Sequence, residues 1–133
     1  MTTTNSIKIP EDHRDLLERP LYGHLATIRP DNTVQVNPMW FTFDGLHLRF
    51  THTSTRQKYR NLLHNPHLAM SVADPEYPYR YLEVRGTLAR VEPDPDGKFY
   101  CELSSRYGAG GQPPADAADR IVLVVQVTST SQQ

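Results

Sequence analysis

Through most of the chain, apolar and polar residues alternate with a period of two, and short stretches of helical spacing interrupt them. Leu25 to Arg29, the turn Pro30-Asp31-Asn32, Thr33 to Phe43, the turn Asp44-Gly45 and Leu46 to Thr51 predict three strands in meander order. The Asp-Gly pair is the firmest hairpin signal among them. The second of these strands alternates through Val34 and Val36, meets Pro38, and resumes in the opposite parity through Met39, Phe41 and Phe43, which predicts a bulge or bend. Leu68, Met70 and Val72 mark a fourth strand. Tyr79 to Val91 reads as a long fifth strand with Gly86 allowing a bend, and Ile121 to Val127 as a final strand apolar on both faces.

Helical spacing is confined to three places. Asp12 to Arg19 lies between Pro10 and Pro20; a second segment, capped by Ser54 or Thr55, runs to about Asn65 with Tyr59, Leu62 and Leu63 on one face. Gly97 to Tyr107 is the third, followed by a loop from Gly108 to Asp116 that holds Gly110-Gly111 and Pro113-Pro114. Residues 1–8 and 128–133 read as loose tails, the latter because it is polar and uncharged.

The chain length of 133 residues has room for one hydrophobic core, so residues 1–133 are read as a single domain. An apolar fraction of 38% with 11 prolines favours short strands and stiff turns over a helical bundle. About six strands with short helices in the crossovers predict a mainly β fold, a small closed or partly closed barrel, with a sandwich as the alternative. The two-sided final strand and the tyrosines Tyr77, Tyr79 and Tyr81 predict a homodimer. Lysine and arginine total 14 against 15 acids, which argues against a nucleic-acid surface and confines any anion binding to a local site. The single Cys101 excludes an intrachain disulfide framework and a multi-cysteine zinc cage, and fits a reducing compartment. The start lacks a signal-like segment and Ile121 to Val125 is too short to span a bilayer, so a cytoplasmic protein without a membrane partner is expected.

The chemistry concentrates in Thr51-His52-Thr53-Ser54-Thr55-Arg56-Gln57-Lys58-Tyr59-Arg60-Asn61, a strand end passing into a hydroxyl-rich turn and a helix start. Arg56, Lys58 and Arg60 have the unfavourable sign for the positive end of a helix dipole. A bound phosphate or carboxylate, met by those cations, the free first-turn amides and the hydroxyls of Thr53, Ser54 and Thr55, would reverse that penalty. The plainer alternative is a solvated basic face whose stems cover Leu62. Six histidines stand in no metal-binding spacing, so no metal is expected; His52, beside the basic turn, is the one placed to touch a phosphate or act as an acid. Cys101 reads as a small buried hydrophobe and Trp40 as a packed strand residue.

Taken in order, Leu25-Ala-Thr-Ile-Arg-Pro-Asp31, Val36-Asn-Pro-Met-Trp40, Leu48 to Phe50, Arg56-x-Lys58-x-Arg60-Asn61-Leu62, Asn65-Pro66 and Tyr81-Leu-Glu-Val-Arg-Gly86 resemble the split β-barrel flavin and deazaflavin oxidoreductases. This superfamily shares the fold of pyridoxamine 5'-phosphate oxidase, and the resemblance is to its F420-dependent branch. It implies a homodimer with cofactor sites between subunits, phosphate held at Arg56 and Lys58, and a tricyclic ring along Asn37, Pro38 and Met39. Tyr79 and Tyr81 match the region that the second subunit supplies, and Trp40 would lie near the cofactor or substrate. The implied activity is an F420H2-dependent reductase that passes a hydride to a small unsaturated or otherwise activated organic acceptor. FMN in the same fold is the alternative cofactor, and a non-catalytic binder of F420 or a haem-like ligand the alternative role. No catalytic residue is singled out, because the cofactor supplies the reaction chemistry.

Overall fold

The computed structural model describes residues 8–133. The expected loose start therefore lies, except for Lys8, outside the described residues. Seven strands, β1 (Gly23–Ile28), β2 (Val34–Met39), β3 (Thr42–Phe43), β4 (His47–Thr53), β5 (His67–Ala73), β6 (Tyr81–Pro93) and β7 (Arg120–Gln132), form one antiparallel sheet. Its order is β2-β1-β5-β6-β7-β4-β3. Three short helices accompany it: α1 (Asp15–Glu18), α2 (Gln57–His64) and α3 (Lys98–Arg106). The sheet curls on itself as a split β-barrel, and β2 and β4, from its two sides, share the wall of one cavity.

The alternation read from the sequence becomes the core. Leu25, Leu48, Phe50, Met70, Val72, Leu82, Val84, Leu123 and Val125 point inward and are essentially inaccessible, with Leu16 and Leu17 of α1 packed into the same cluster. Val122 and Val124 lie on the opposite face of β7, also buried. That face is covered by α3, where Leu103 is buried and the Tyr100 ring receives the Arg120 guanidinium 4.6 Å from its centroid. The two-sided apolarity of β7 is thus met within one chain.

Four expectations are corrected. The segment from Asp12 to Arg19 divides into a 3-10 turn at Glu11–His13 and the single turn of α1, because its ends are held by ion pairs more than by helix propagation: Arg80 bonds Asp15 and Asp74, and Arg19 bonds Asp15. The predicted strand from Thr33 to Phe43 breaks at Trp40 and Phe41. Its first half pairs with β1 and its second with β4, so the run is not a meander. The expected tail from Thr128 to Gln133 is ordered: β7 continues to Gln132 against Leu82–Arg85 of β6, and the Gln133 amide and carbonyl bond Tyr81. Backbone pairing needs no apolar side chain, which is why hydropathy did not reveal it. Finally, neither Ser54 nor Thr55 caps α2. Arg56 occupies the cap position in extended conformation and no side chain bonds the first turn.

β6 carries register shifts at Arg85/Gly86 and between Leu88 and Arg90, where the long ladder bends. At Gly86 a Cβ would stand 2.4 Å from the Gln126 carbonyl oxygen, a backbone atom that cannot swing aside. Gly86→Ala is expected to lower unfolding stability by about 1–3 kcal/mol, the usual cost of overpacking, measured by urea denaturation. Unchanged stability would mean that the β6–β7 contact gives way easily.

Candidate functional site

A cavity of about 630 Å³ opens where the C-terminal half of β2, the end of β4 and the start of α2 meet. Pro38 can occupy this place because β2 is an edge strand: its missing N–H costs no ladder bond on the open side. Asn37, Pro38 and Met39 line one wall and Arg56 and Lys58 the other. With His52 and Trp40, which line the same cavity, these five are the sequence-predicted residues that the structure brings together.

The cavity is electropositive by construction. Among the described residues, Arg56, Lys58 and Arg120 border it and no aspartate or glutamate does. Arg120 has a partner behind the wall, its Nε 3.0 Å from an Asp116 carboxylate oxygen. Lys58 has no anionic partner among the described residues; its ammonium sits 3.1 Å from the Met39 sulfur, a weak acceptor, with the residue only 6% exposed. Burial, with the nearby Arg56 guanidinium, pushes the Lys58 pKa down to about 8. The first-turn amides of α2 likewise find no side-chain cap and no acid. An anion seated here would satisfy both the cation and the amides.

His52, on β4, is buried beside these groups. Burial first, then the charges of Lys58, Arg56 and Arg120, lower its pKa to about 4, so the imidazole is neutral at ordinary pH. Its Nε2 has no partner among the described residues. The opposite rim is aromatic. Trp40 stacks on Tyr107 with ring centroids 5.4 Å apart, and Tyr100 and Tyr22 complete the wall. Tyr107 is fixed by donating to the Leu21 carbonyl (2.7 Å) and accepting the Phe41 amide (3.1 Å). Such a rim suits a flat ligand and restricts water.

The remaining predicted residues lie elsewhere. Thr53 is buried off the cavity wall, the exposed Ser54 donates its amide to the Asp119 carbonyl, and Arg60 turns back to the Thr55 carbonyl at 2.8 Å. Tyr79 is 69% exposed, edge-on to Tyr77, and Tyr81 is half-buried at the start of β6. Sequence reasoning passed over Gln35, Gln57, Tyr22, Tyr100 and Arg120. Gln35 was within reach of it, being two residues before Asn37 on the same strand face; Arg120 and Tyr100 needed the three-dimensional packing of α3. No group of three or more metal-ligating side chains stands together among the described residues.

The chain matches the family model for pyridoxamine 5'-phosphate oxidase over residues 9–133. No curated protein matches it. Among solved structures, one named F420 reductase is 61% identical, with a TM-score of 0.90 over 94% of this chain and 100% of that one. A conserved hypothetical protein of Mycobacterium tuberculosis is 19% identical at a TM-score of 0.73, covering 99% of this chain and 89% of that one. General Stress Protein 26 of Bacillus anthracis is 18% identical at 0.69, covering 92% and 91%. The last two share the fold alone. With nearly its whole length matched, the chain belongs to the pyridoxamine 5'-phosphate oxidase family and is an oxidoreductase on a split β-barrel.

Proposed function

We propose that the cavity binds the deazaflavin coenzyme F420 and that the protein is an F420H2-dependent reductase acting on a small unsaturated or otherwise activated organic acceptor. The observation that carries this reading is the buried Lys58, a cation with no anionic partner among the described residues, at the uncapped start of α2 in a cavity with no bordering acid. The residues fit such a group: Arg56, Lys58 and the first-turn amides would hold its phosphate, and Asn37 to Met39 would lie along its ring. F420 is preferred to FMN because the relative at 61% identity carries the name F420 reductase. When bound, the coenzyme supplies the hydride. The chain's own contribution is positional: cations fix the anionic end, and the Trp40 and Tyr100 side of the wall excludes water and leaves room for a flat acceptor.

The same reading takes the protein as a cytoplasmic homodimer in which each copy lends Tyr79 and Tyr81 to the other's site. Exposed Val34 (60%) and Val36 (58%) on the outer side of β2, with the exposed Tyr77 and Tyr79, support it. Sedimentation at micromolar concentration tests it, with a cofactor-competent monomer as the opposing result.

Titration of the purified protein with F420 and FMN at equal ionic strength should show tighter binding of F420; a clear preference for FMN would replace the coenzyme while keeping the cradle. Oxidation of the reduced coenzyme by candidate acceptors separates an enzyme from a carrier. Arg56→Ala should weaken coenzyme binding by about ten- to a hundredfold, equivalent to about 1.5–3 kcal/mol, with an effect that shrinks in salt. Lys58→Met should weaken it similarly and at the same time raise the melting temperature, since a buried cation without a partner is removed. Unchanged affinity in both variants would remove the anion site from α2.

Affinity should also depend on pH with a defined sign. A bound anion raises the Lys58 pKa above its free value of about 8, so the complex holds a proton that the free protein sheds as pH rises. Coenzyme affinity is therefore flat below pH 8 and falls above it, by up to about tenfold per pH unit. Isothermal titration across this range checks the trend, and Lys58→Met should abolish it.

A further inference from the structure

Behind the cavity wall lies a series of side-chain amides that joins α2 to β2. Asn61 is fully buried, and its amide is bonded at both ends. Its Nδ2 donates to Thr27 Oγ1 (3.0 Å) and to Gln35 Oε1 (3.1 Å), while its Oδ1 accepts from Gln57 Nε2 (2.9 Å). Gln35 then donates from Nε2 to Asn37 Oδ1 (3.0 Å). An amide has one donor end and one acceptor end, so bonds made in series share a single sense. With both ends engaged in the interior, Asn61 is the member least free to turn. The sense it sets leaves Asn37, on the cavity wall, with its Nδ2 hydrogens unpartnered among the described residues.

We propose that Asn61 is a positioning residue for the cofactor site: it holds the Gln35–Asn37 amides so that Asn37 offers N–H donors to a carbonyl-bearing edge of the bound ring. This rests on the reading that the cavity takes a flat heterocyclic coenzyme, and adds what the β2 wall recognises in it. The basic cradle at α2 would read the anion and the amide series would read the ring, two subsites linked through one buried side chain. Asn61 itself touches no ligand.

Two variants separate these roles. Asn61→Asp replaces a donor by an acceptor toward Gln35, so that Gln35 must turn and Asn37 must present its oxygen to the cavity. Gln35→Met, on the half-buried cavity wall, interrupts the series without adding charge and keeps the test available should Asn61→Asp fold poorly. Each full-length variant is titrated with F420 and, as a probe of the cradle alone, with inorganic phosphate, always as a ratio to the wild type at the same pH. F420 binding is expected to weaken by about three- to tenfold in Gln35→Met, the usual worth of one neutral hydrogen bond, with phosphate binding unchanged. The new carboxylate of Asn61→Asp repels both anions, and F420 is expected to lose about three- to tenfold more than phosphate. In Asn61→Asp, acidification that protonates the new carboxyl restores a donor, and the F420 ratio should recover; in Gln35→Met it should not. Wild-type affinity for F420 in both variants, or a loss of F420 no greater than that of phosphate, would overturn the proposal. If the wild type binds phosphate but not F420, the coenzyme reading falls. The amide series is then decided in the free protein: in 15N spectra the Asn37 side-chain NH2 signals must move in Asn61→Asp, and their staying in place overturns it.

Discussion

The site exists because the sheet closes, and the closure hangs on two residues. β2 and β3 follow one another in the chain yet occupy opposite edges of the seven-stranded sheet, with only Trp40 and Phe41 between them. A link this short can join two edges only if the sheet curls until they meet. Phe41 is fully buried beneath the seam, and its amide is taken by the hydroxyl of Tyr107, which also bonds the Leu21 carbonyl. One phenol at the C-terminal cap of α3 therefore fastens the segment before β1 to the link between β2 and β3. Burial raises the Tyr107 pKa above its ordinary value, so the hydroxyl keeps its proton for this bond.

A seam of this kind is where a barrel can be polar inside. Strands in the middle of the sheet bury their inward side chains against one another, whereas the cavity wall of β2 lies at an edge and can bear Gln35 and Asn37 where other strands bear leucine. The helix start that faces it has no acid in its first turn and an extended arginine at the cap. Each departs from ordinary stability rules, and both departures fall on the same cavity.

Most of the fold was legible because hydrophobic alternation is a direct image of a half-buried strand. The parity change at Pro38 marked the break before the seam, and the run from Arg56 to Arg60 marked the cradle, although Arg60 bonds the Thr55 carbonyl away from the cavity. Thr128 to Gln132 were misread because their place in β7 rests on main-chain bonds that any side chain permits. The cap of α2 was misread because hydroxyls before a helix usually bond its amides, and here Thr55 bonds Thr53 instead. Asn61 stood inside the resembling motif, but its importance lies in partners 26 and 34 residues away, which no local spacing displays.

The loop after α3 shows the opposite economy from the seam. Gly108 and Gly110 have positive φ, and a Cβ at either would meet nothing within 4 Å. Tyr100 and Tyr107 of the aromatic rim stand on and at the end of the helix before this loop, and Arg120, paired with Asp116, begins the strand after it. The chain can therefore be lengthened or rewritten at Gly108 to Gly110 without touching the edge closure or the basic cradle. A lineage on this scaffold could vary this turn by drift, while inheritance of the two-residue link keeps the closed edge and the cavity beside it unaltered.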